Sequence, residues 1–236
     1  MIFNKRFALI FRLGAMMFAL AGLLKQIGVF QGTLSFHSFM FYTIQSNLLA
    51  VVLFAYLSVR TAMSLKTGLH GNIGWHPRLG MIIAVDLLVT MVVFWALLTP
   101  VVPPSYLWTF ENIAIHTVTP ILCLLDFILF SEPRRLKYRD IYYTCIFPVF
   151  YMIFTSIAGL AGYVYGFSET FSNEGSTVIA TAPIRFPYFF MDFDRLGFTV
   201  LIYIGVMLAF FIMLSHIIYF VDRKRKLKDK NSNETI

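Results

Sequence analysis

The sequence predicts an all-α protein whose helices cross a membrane. Of its 236 residues, 58% are hydrophobic and 13% are charged, whereas about a quarter of the residues in an ordinary soluble domain are charged. The hydrophobic residues form six long runs, and each run reaches the length of about 20 residues that a transmembrane helix needs. Because backbone groups in hydrocarbon must be hydrogen-bonded within their own segment, each run is predicted to be a helix.

The predicted spans are joined by polar segments, and together they form one polytopic helix bundle. They cover residues 7–30, 38–57, 79–99, 107–130, 141–163 and 196–220. We expect a single transmembrane domain over residues 1–222, with a basic tail at 223–236. The first run follows Lys5 and Arg6 like a signal peptide, but its apolar residues continue past Ala21, which favours a retained span.

The segment 164–195 is predicted to be a long loop on the outer side. Its first half, YGFSETFSNEGSTVIATAP, is polar and is expected to be flexible. Its second half, IRFPYFFMDFDRLGF, is aromatic and is expected to lie at headgroup depth or to fold back as a lid. The spacings Ala158–Gly162 and Gly162–Gly166 are typical of close contacts between membrane helices.

The positive charges predict the orientation of the chain. Sixteen of the 19 Lys and Arg residues fall on the side that holds both termini and the loops at 58–78 and 131–140, while the other side holds Lys25, Arg185 and Arg195. Because cytoplasmic loops carry the excess of Lys and Arg, both termini are predicted to be cytoplasmic. The tail VDRKRKLKDK is expected to lie against anionic lipid headgroups, so the net charge of +7 does not indicate nucleic acid.

Polar residues within the spans mark the candidate functional sites, because such residues are costly in a membrane. In FYTIQSNLLA, residues 41–50, the side chains of Thr43, Ser46 and Asn47 share one helix face, whereas Gln45 lies on another. The third span contributes Asp86. Asp126 lies near the arginines at 134 and 135 and is predicted to form an interfacial ion pair.

The fourth span carries a second polar face. Asn112, His116 and Thr119 follow one another at i, i+4 and i+7. Pro120 is predicted to kink this helix and to free a backbone carbonyl nearby. His216 in the sixth span is predicted to be structural.

Thr43 and His116 together predict acyl-transfer chemistry. At 1.5 Å per residue, they lie roughly 8 Å and 14 Å below the outer ends of their predicted spans, so both fall in the outer half of the membrane. An imidazole can take the proton of a hydroxyl during its attack on an ester. Asp86 and Asn47 are the candidates for holding the other ring nitrogen, and Asn47 or Asn112 is the candidate donor to the oxyanion.

Packing roles are the alternative for the same residues. A transmembrane Thr such as Thr43 commonly bonds to the carbonyl four residues before it. Asn and Ser often form hydrogen bonds between helices that stabilise packing, and His116 would then be a buried core residue. The sequence contains no CxxC or HxxxH spacing, and no metal or cofactor is predicted.

Five stretches carry a resemblance to a known family: FYTIQSNLLA, WHPRLGMIIAVDLL, IHTVTPILCLLDFILF, FPVFYMIFTSIAG and FPYFFMDFDRLGF. In this order they extend from about Phe41 to Phe198 and resemble small bacterial six-span membrane proteins. Those proteins look like a branch of the androgen-induced protein and androgen-dependent TFPI-regulating protein superfamily, whose animal members are intramembrane threonine hydrolases.

The resemblance implies an activity and two residues that perform it. The animal members cleave fatty-acid esters of hydroxy fatty acids with one Thr and one His, which match Thr43 in FYTIQSN and His116 in IHTVTP. The IQSN that follows Thr43 differs from the animal pattern, so other lipid esters or lysolipids remain open as substrates. The implied location is a bacterial cell membrane, with membrane lipids as partners.

Three other functions remain open at this point. An acyltransferase would use the same residues and pass the acyl group to an alcohol instead of water. A transporter would use Asp86, Asp126 and His116 as a polar path, although internal repeats typical of transporters are not evident. A membrane scaffold without catalysis is the third, and the sequence does not indicate an oligomeric state.

Overall fold

The computed structural model describes residues 4–67, 77–171 and 178–225, with the backbone alone for 169–171 and 178–180. Six helices in these residues are long and apolar enough to cross a membrane, which confirms the predicted all-α transmembrane class. They are α1 Lys5–Gln26, α2 Tyr42–Lys66, α3 Pro77–Val101, α4 Phe110–Phe130, α5 Asp140–Leu160 and α6 Phe193–Lys224. The predicted tail at 223–236 lies mostly outside the described residues.

The second helix begins four residues later than predicted. Phe36–Met40 form a separate 3₁₀ helix, and the extended residue Phe41 connects it to α2. Thr43 therefore lies in the first turn of α2, where backbone N–H groups have no acceptor within the helix. The helix also continues to Lys66, well past the predicted end at residue 57.

Helices α3 and α4 each contain one π-helical turn. The turns cover Phe94–Leu98 in α3 and Ala114–Val118 in α4. Each turn is followed directly by a Thr-Pro pair, at residues 99–100 and 119–120. Such turns are rare and are frequently found at functional sites.

The chemistry of proline explains the π turn in α4. Pro120 has no N–H, and its ring clashes with the carbonyl four residues before it, which belongs to His116. The N–H of Thr119 instead bonds to the carbonyl of Ala114, five residues before it. The predicted kink at Pro120 is therefore a widened turn that has His116 at its centre.

The chain forms two compact units, of which the first comprises residues Met1–Thr144 and Phe211–Ile236. In this unit α1 packs against α2 and α4, and α3 also packs against α2 and α4. Gly22 permits the close approach of α1 to α4, because a Cβ at this position would lie 2.4 Å from the Cβ of Ala114. The contact between these two helices thus falls at the start of the π turn of α4.

A buried ion pair joins α1 to α4. The guanidinium of Arg12, which is fully buried, donates to both carboxylate oxygens of Asp126 at 2.6 Å and 3.3 Å. It also donates to the hydroxyl of Thr61 on α2 at 2.7 Å. The predicted ion pair of Asp126 therefore exists, but its partner is Arg12 and not an arginine at 134 or 135.

The second unit, Cys145–Phe210, contains the predicted outer loop. In its polar half, which was expected to be flexible, β1 Gly166–Phe171 pairs antiparallel with β2 Val178–Ile184, while residues 172–177 lie outside the described residues. Val178, Ile179 and Thr181 are β-branched, which favours an extended backbone. The sequence prediction missed this preference because it considered only the polarity of the segment.

The small residues of α5 also act differently from the prediction. The helix ends at Leu160, and Gly162 follows it with a φ of +93°. A Cβ at Gly162 would meet no atom of another segment within 4 Å, so its spacing to Gly166 marks no helix contact. The close approach occurs at Gly159 instead. A Cβ there would lie 2.3 Å from the carbonyl oxygen of Arg185, beside the buried ring of Phe186.

Candidate active site

The hydroxyl of Thr43 has no hydrogen-bond partner among the described residues. Other buried threonines of the helices bond to the carbonyl four residues before them, as the hydroxyls of Thr61, Thr90 and Thr155 do at 2.6 to 3.0 Å. The Thr43 hydroxyl thus lacks the bond to its own helix that Thr61, Thr90 and Thr155 form, a feature that it shares with the hydroxyl of Thr119.

The start of α2 explains this exception. The carbonyl four residues before Thr43 belongs to Phe39, and it accepts a hydrogen bond of 2.9 Å from Nε2 of Gln45. Gln45, which was predicted to lie on another face of the helix, therefore bonds to the 3₁₀ helix that precedes α2. Thr43 is 9% exposed, so its hydroxyl group is nearly but not completely enclosed.

His116 is held in one orientation by Asn112, which lies one turn before it on α4. Nδ1 of His116 lies 2.7 Å from Oδ1 of Asn112. The amide nitrogen of Asn112 donates to the carbonyl of Leu107 at 2.7 Å, so the oxygen of that amide faces the ring. Because Oδ1 can only accept, Nδ1 carries the ring proton, and Nε2 keeps the lone pair that a general base needs.

The ring of His116 also stacks on a phenyl ring. The centroids of His116 and Phe94 lie 3.8 Å apart, and their planes differ by 18°. The two rings come from the two π turns of the fold, one in α3 and one in α4. Nearby, Nε1 of Trp95 donates to the hydroxyl of Thr117 at 2.9 Å, which links the same two turns again.

Asn47 links the segment that carries Thr43 to the segment that carries His116. Its amide nitrogen donates to the carbonyl of Thr43 at 2.8 Å and to the carbonyl of Ile115 at 3.1 Å. Ile44 and Ile115 also belong to one buried hydrophobic cluster. The residues adjacent to both candidate catalytic residues are thus in contact, and α2 and α4 are neighbours at this level.

The roles predicted for Asp86 and Asn47 are wrong. Asp86 and Asn47 were the candidates for holding the second ring nitrogen of His116, but Asn112 occupies that position. Asn47 and Asn112 were also candidate donors to an oxyanion. Both hydrogens of the Asn47 amide are taken by carbonyls, so Asn47 has no hydrogen left for an oxyanion, whereas the Asn112 amide donates one hydrogen to Leu107 and its oxyanion role stays a prediction.

Ser46 and Asp86 join α2 to α3 next to the site. The hydroxyl of Ser46 lies 3.1 Å from the carbonyl of Thr43 and 3.2 Å from the hydroxyl of Thr90. One carboxylate oxygen of the fully buried Asp86 accepts a hydrogen bond of 2.9 Å from the hydroxyl of Tyr42. These contacts hold the first turn of α2, and therefore Thr43, against α3.

The sequence prediction missed Phe94 and Tyr42. A signal for Phe94 was present, because the Thr-Pro pair that follows His116 recurs after Phe94 at a similar spacing. No pattern in the sequence pointed to Tyr42. His216 is structural as predicted: its Nδ1 lies 2.8 Å from the carbonyl of Ile212, and its Nε2 lies 3.2 Å from the hydroxyl of Tyr138.

Comparisons with known proteins give no further guide to the site. Neither a protein-family model, nor a curated protein, nor a solved structure matches the chain. The described residues also contain no cluster of His, Cys, Asp and Glu that could hold a metal ion. The functional argument therefore depends on the geometry of Thr43, His116 and Asn112.

Proposed function

We propose that the chain is an intramembrane lipid ester hydrolase in which Thr43 is the nucleophile and His116 is the general base. This proposal depends on two groups that lie on neighbouring helices. Within the described part of the chain, neither group forms a structural hydrogen bond. One is the Thr43 hydroxyl, and the other is Nε2 of His116, whose ring is fixed from the opposite side by Asn112. A nucleophile, a base and a residue that orients the base form the arrangement of known acyl-transfer enzymes.

The first half of the reaction forms an acyl-enzyme. Nε2 of His116 accepts the proton of the Thr43 hydroxyl while Oγ1 attacks the carbonyl carbon of the ester. The proton then passes from His116 to the departing alkoxide, which leaves as an alcohol. Oδ1 of Asn112 accepts a hydrogen bond from Nδ1 throughout, and this bond is strengthened while the ring is positively charged.

The second half of the reaction restores the enzyme. His116 removes a proton from water, and the resulting hydroxide attacks the acyl carbonyl on Thr43. The carboxylic acid leaves, and the proton returns from His116 to Oγ1 of Thr43. The same two residues therefore serve both steps, and the proposed reaction consumes only the ester and water.

The start of α2 supplies a donor for the oxyanion in place of the Asn47 amide. Thr43 lies in the first turn, where N–H groups have no acceptor within the helix and where the helix dipole is positive. Its N–H forms no hydrogen bond with another described residue. A negative oxygen that develops beside Oγ1 of Thr43 is stabilised by this end of the helix.

The substrate class and the orientation follow from the surroundings and the sequence. A site within a bundle of apolar membrane helices receives lipid acyl esters more readily than water-soluble esters. In line with the family resemblance, we propose fatty-acyl esters, including fatty-acid esters of hydroxy fatty acids. The distribution of Lys and Arg supports cytoplasmic termini and a site in the outer half of a bacterial cell membrane.

Acyl transfer to an alcohol is the second candidate function. Thr43 and His116 are 9% and 6% exposed, which limits the water that reaches the acyl-enzyme and favours a lipid alcohol as its acceptor. Transport along Asp86, Asp126 and His116 has less support, because both oxygens of Asp126 are bonded to Arg12. Product analysis with and without an added acceptor lipid separates hydrolysis from transfer.

Replacement of Thr43 by alanine tests the nucleophile. A fluorophosphonate probe is expected to label the wild-type protein and to leave Thr43→Ala unlabelled, because the reacting oxygen is missing. Thr155→Ala is the matched control, since Thr155 is also a buried threonine but bonds to the carbonyl of Tyr151. Labelling of folded Thr43→Ala at the wild-type level would exclude Thr43 as the nucleophile.

Replacement of Pro120 by alanine tests the widened turn around His116. The new N–H can bond to the carbonyl of His116, so α4 is expected to regain its regular pitch and to turn the ring away from Phe94. A displacement of about 1 Å can cost roughly 100-fold in rate, and we expect a loss of that order in ester turnover. Pro148→Ala is the control. Pro148 lies near the start of the regular helix Ile146–Leu160, so its replacement is not expected to change the helical pitch or the turnover. Equal turnover of Pro120→Ala and wild type would show that the π turn is not needed.

A further inference from the structure

Three buried side-chain oxygens beside the proposed active site have no hydrogen-bond partner among the described residues. They are Oδ1 of Asn47, Oδ2 of Asp86 and Oγ1 of Thr119. All three residues are fully inaccessible to solvent. Buried polar atoms are almost always bonded, so a group of three such atoms indicates that something else binds there.

The helix contacts place these oxygens within about one helical turn of one another. Asn47 on α2 meets the carbonyl of Ile115 on α4, and Thr119 is one turn further along the same face of α4. Ser46 on α2 meets Thr90 on α3. Asp86 lies one turn before Thr90.

The directions of the helices bring Asp86 and Thr119 to the same level. Consecutive spans run in opposite directions across a membrane, so one turn backward on α3 and one turn forward on α4 lead to the same side. Asp86 and Thr119 therefore both lie about one turn, or roughly 5 Å, below the level of Asn47. The three oxygens belong to three helices that pack against one another, α2, α3 and α4.

This set of ligand groups is typical of a binding site for a hard cation. It comprises a carboxylate, an amide carbonyl and a hydroxyl, all with oxygen as the ligand atom. The carbonyl of His116 is a candidate for a fourth ligand, because Pro120 at i+4 has no N–H to donate to it. Helices interrupted within a membrane use such carbonyls to coordinate sodium ions.

The charges around Asp86 favour a monovalent ion. Tyr42 on α2 donates a hydrogen bond to Asp86, and Arg12 on α1 is bonded to Asp126 on α4. No Lys or Arg in the described residues forms an ion pair with Asp86. A single positive charge therefore balances the carboxylate, whereas a divalent ion would leave a charge uncompensated in the membrane interior.

We propose that Asn47, Asp86 and Thr119 bind a monovalent cation of the size of sodium within the helix bundle. This site does not depend on the hydrolase activity. It gives the bundle a bound ion that joins α2, α3 and α4 directly below Thr43 and His116.

Thermal unfolding of the full chain in nanodiscs tests the site. The melting temperature is compared in sodium, potassium and N-methyl-glucamine chloride of equal ionic strength and pH. At a sodium concentration about tenfold above Kd, we expect a rise of about 3–6 °C over N-methyl-glucamine.

Variants assign the effect to these oxygens. Asp86→Asn is expected to lose the sodium dependence, and the nearly isosteric Thr119→Val to weaken it. Ser58→Ala is the matched control, since its hydroxyl is another buried oxygen of α2 without a partner in the described residues, about three turns from Asn47. This variant is expected to keep the full sodium effect.

Two results would overturn the proposal. The first is a wild-type protein whose melting temperature is the same in sodium and N-methyl-glucamine, which would mean that water alone fills the space. The second is a sodium effect of wild-type size in Thr119→Val and in Asp86→Asn. If Asp86→Asn does not fold, Thr119→Val alone decides the outcome.

Discussion

A His116→Phe variant is expected to hydrolyse lipid esters about 10²- to 10⁴-fold more slowly than the wild-type protein, because general base catalysis contributes a factor of this size. Phenylalanine keeps a flat ring against Phe94, whose centroid lies 3.8 Å from that of His116. The change therefore removes the lone pair of Nε2 and preserves most of the packing. The measurement is the turnover of a long-chain fluorogenic ester by the purified protein in nanodiscs.

His216→Phe is the matched control for this substitution. His216 also lies in a helix and bonds to Tyr138 and Ile212, but it is not near Thr43 in any described contact. It is expected to retain wild-type turnover. A second check is His116→Gly with added imidazole, which is expected to restore part of the rate by filling the vacated space. Full activity of folded His116→Phe would contradict the proposed base.

An Arg12→Leu variant is expected to lose about 3–5 kcal/mol of stability, since it leaves the carboxylate of Asp126 buried without a partner. Arg12 donates to both oxygens of this carboxylate and to Thr61, so the loss affects three helices at once. The measurement is the free energy of unfolding in mixed micelles with increasing denaturing detergent.

The double variant Arg12→Met with Asp126→Leu separates the ion pair from packing. It is expected to recover most of the lost stability, because no unpaired charge remains. Arg78→Leu is the comparison on a partly exposed pair, where Arg78 contacts Asp140 at 2.7 Å, and we expect a smaller loss there. If the free energy of unfolding of Arg12→Leu lies within about 1 kcal/mol of the wild-type value, Asp126 must have another partner.

The number and type of the helices were predictable because hydropathy over about 20 residues reports them directly. Their ends were less accessible to sequence reasoning. Residues 38–41 are as apolar as the start of α2, but they belong to a 3₁₀ helix and an extended residue. The depth of roughly 8 Å predicted for Thr43 was therefore too large, since its helix begins only one residue before it.

The candidate site was predictable as a set of residues but not as a set of roles. The spacing of Asn112 and His116 by four residues was visible, and the structure confirms that they share a face. Which amide faces the ring depends on a carbonyl of Leu107 and on the position of α4 beside α2. Such contacts between distant segments are absent from any local pattern, so Asp86 and Asn47 were given the role of Asn112.

The burial of Arg12 bears on how the chain is assembled as it is synthesised. Its partner Asp126 follows 114 residues later, so α1 leaves the ribosome long before α4 exists. An arginine within a lone membrane helix costs about 2.5–3.5 kcal/mol during insertion, and its long side chain lowers this cost by reaching the headgroups. We therefore expect α1 to wait in a shallow position at the translocon and to reach its final depth only when the fourth helix arrives.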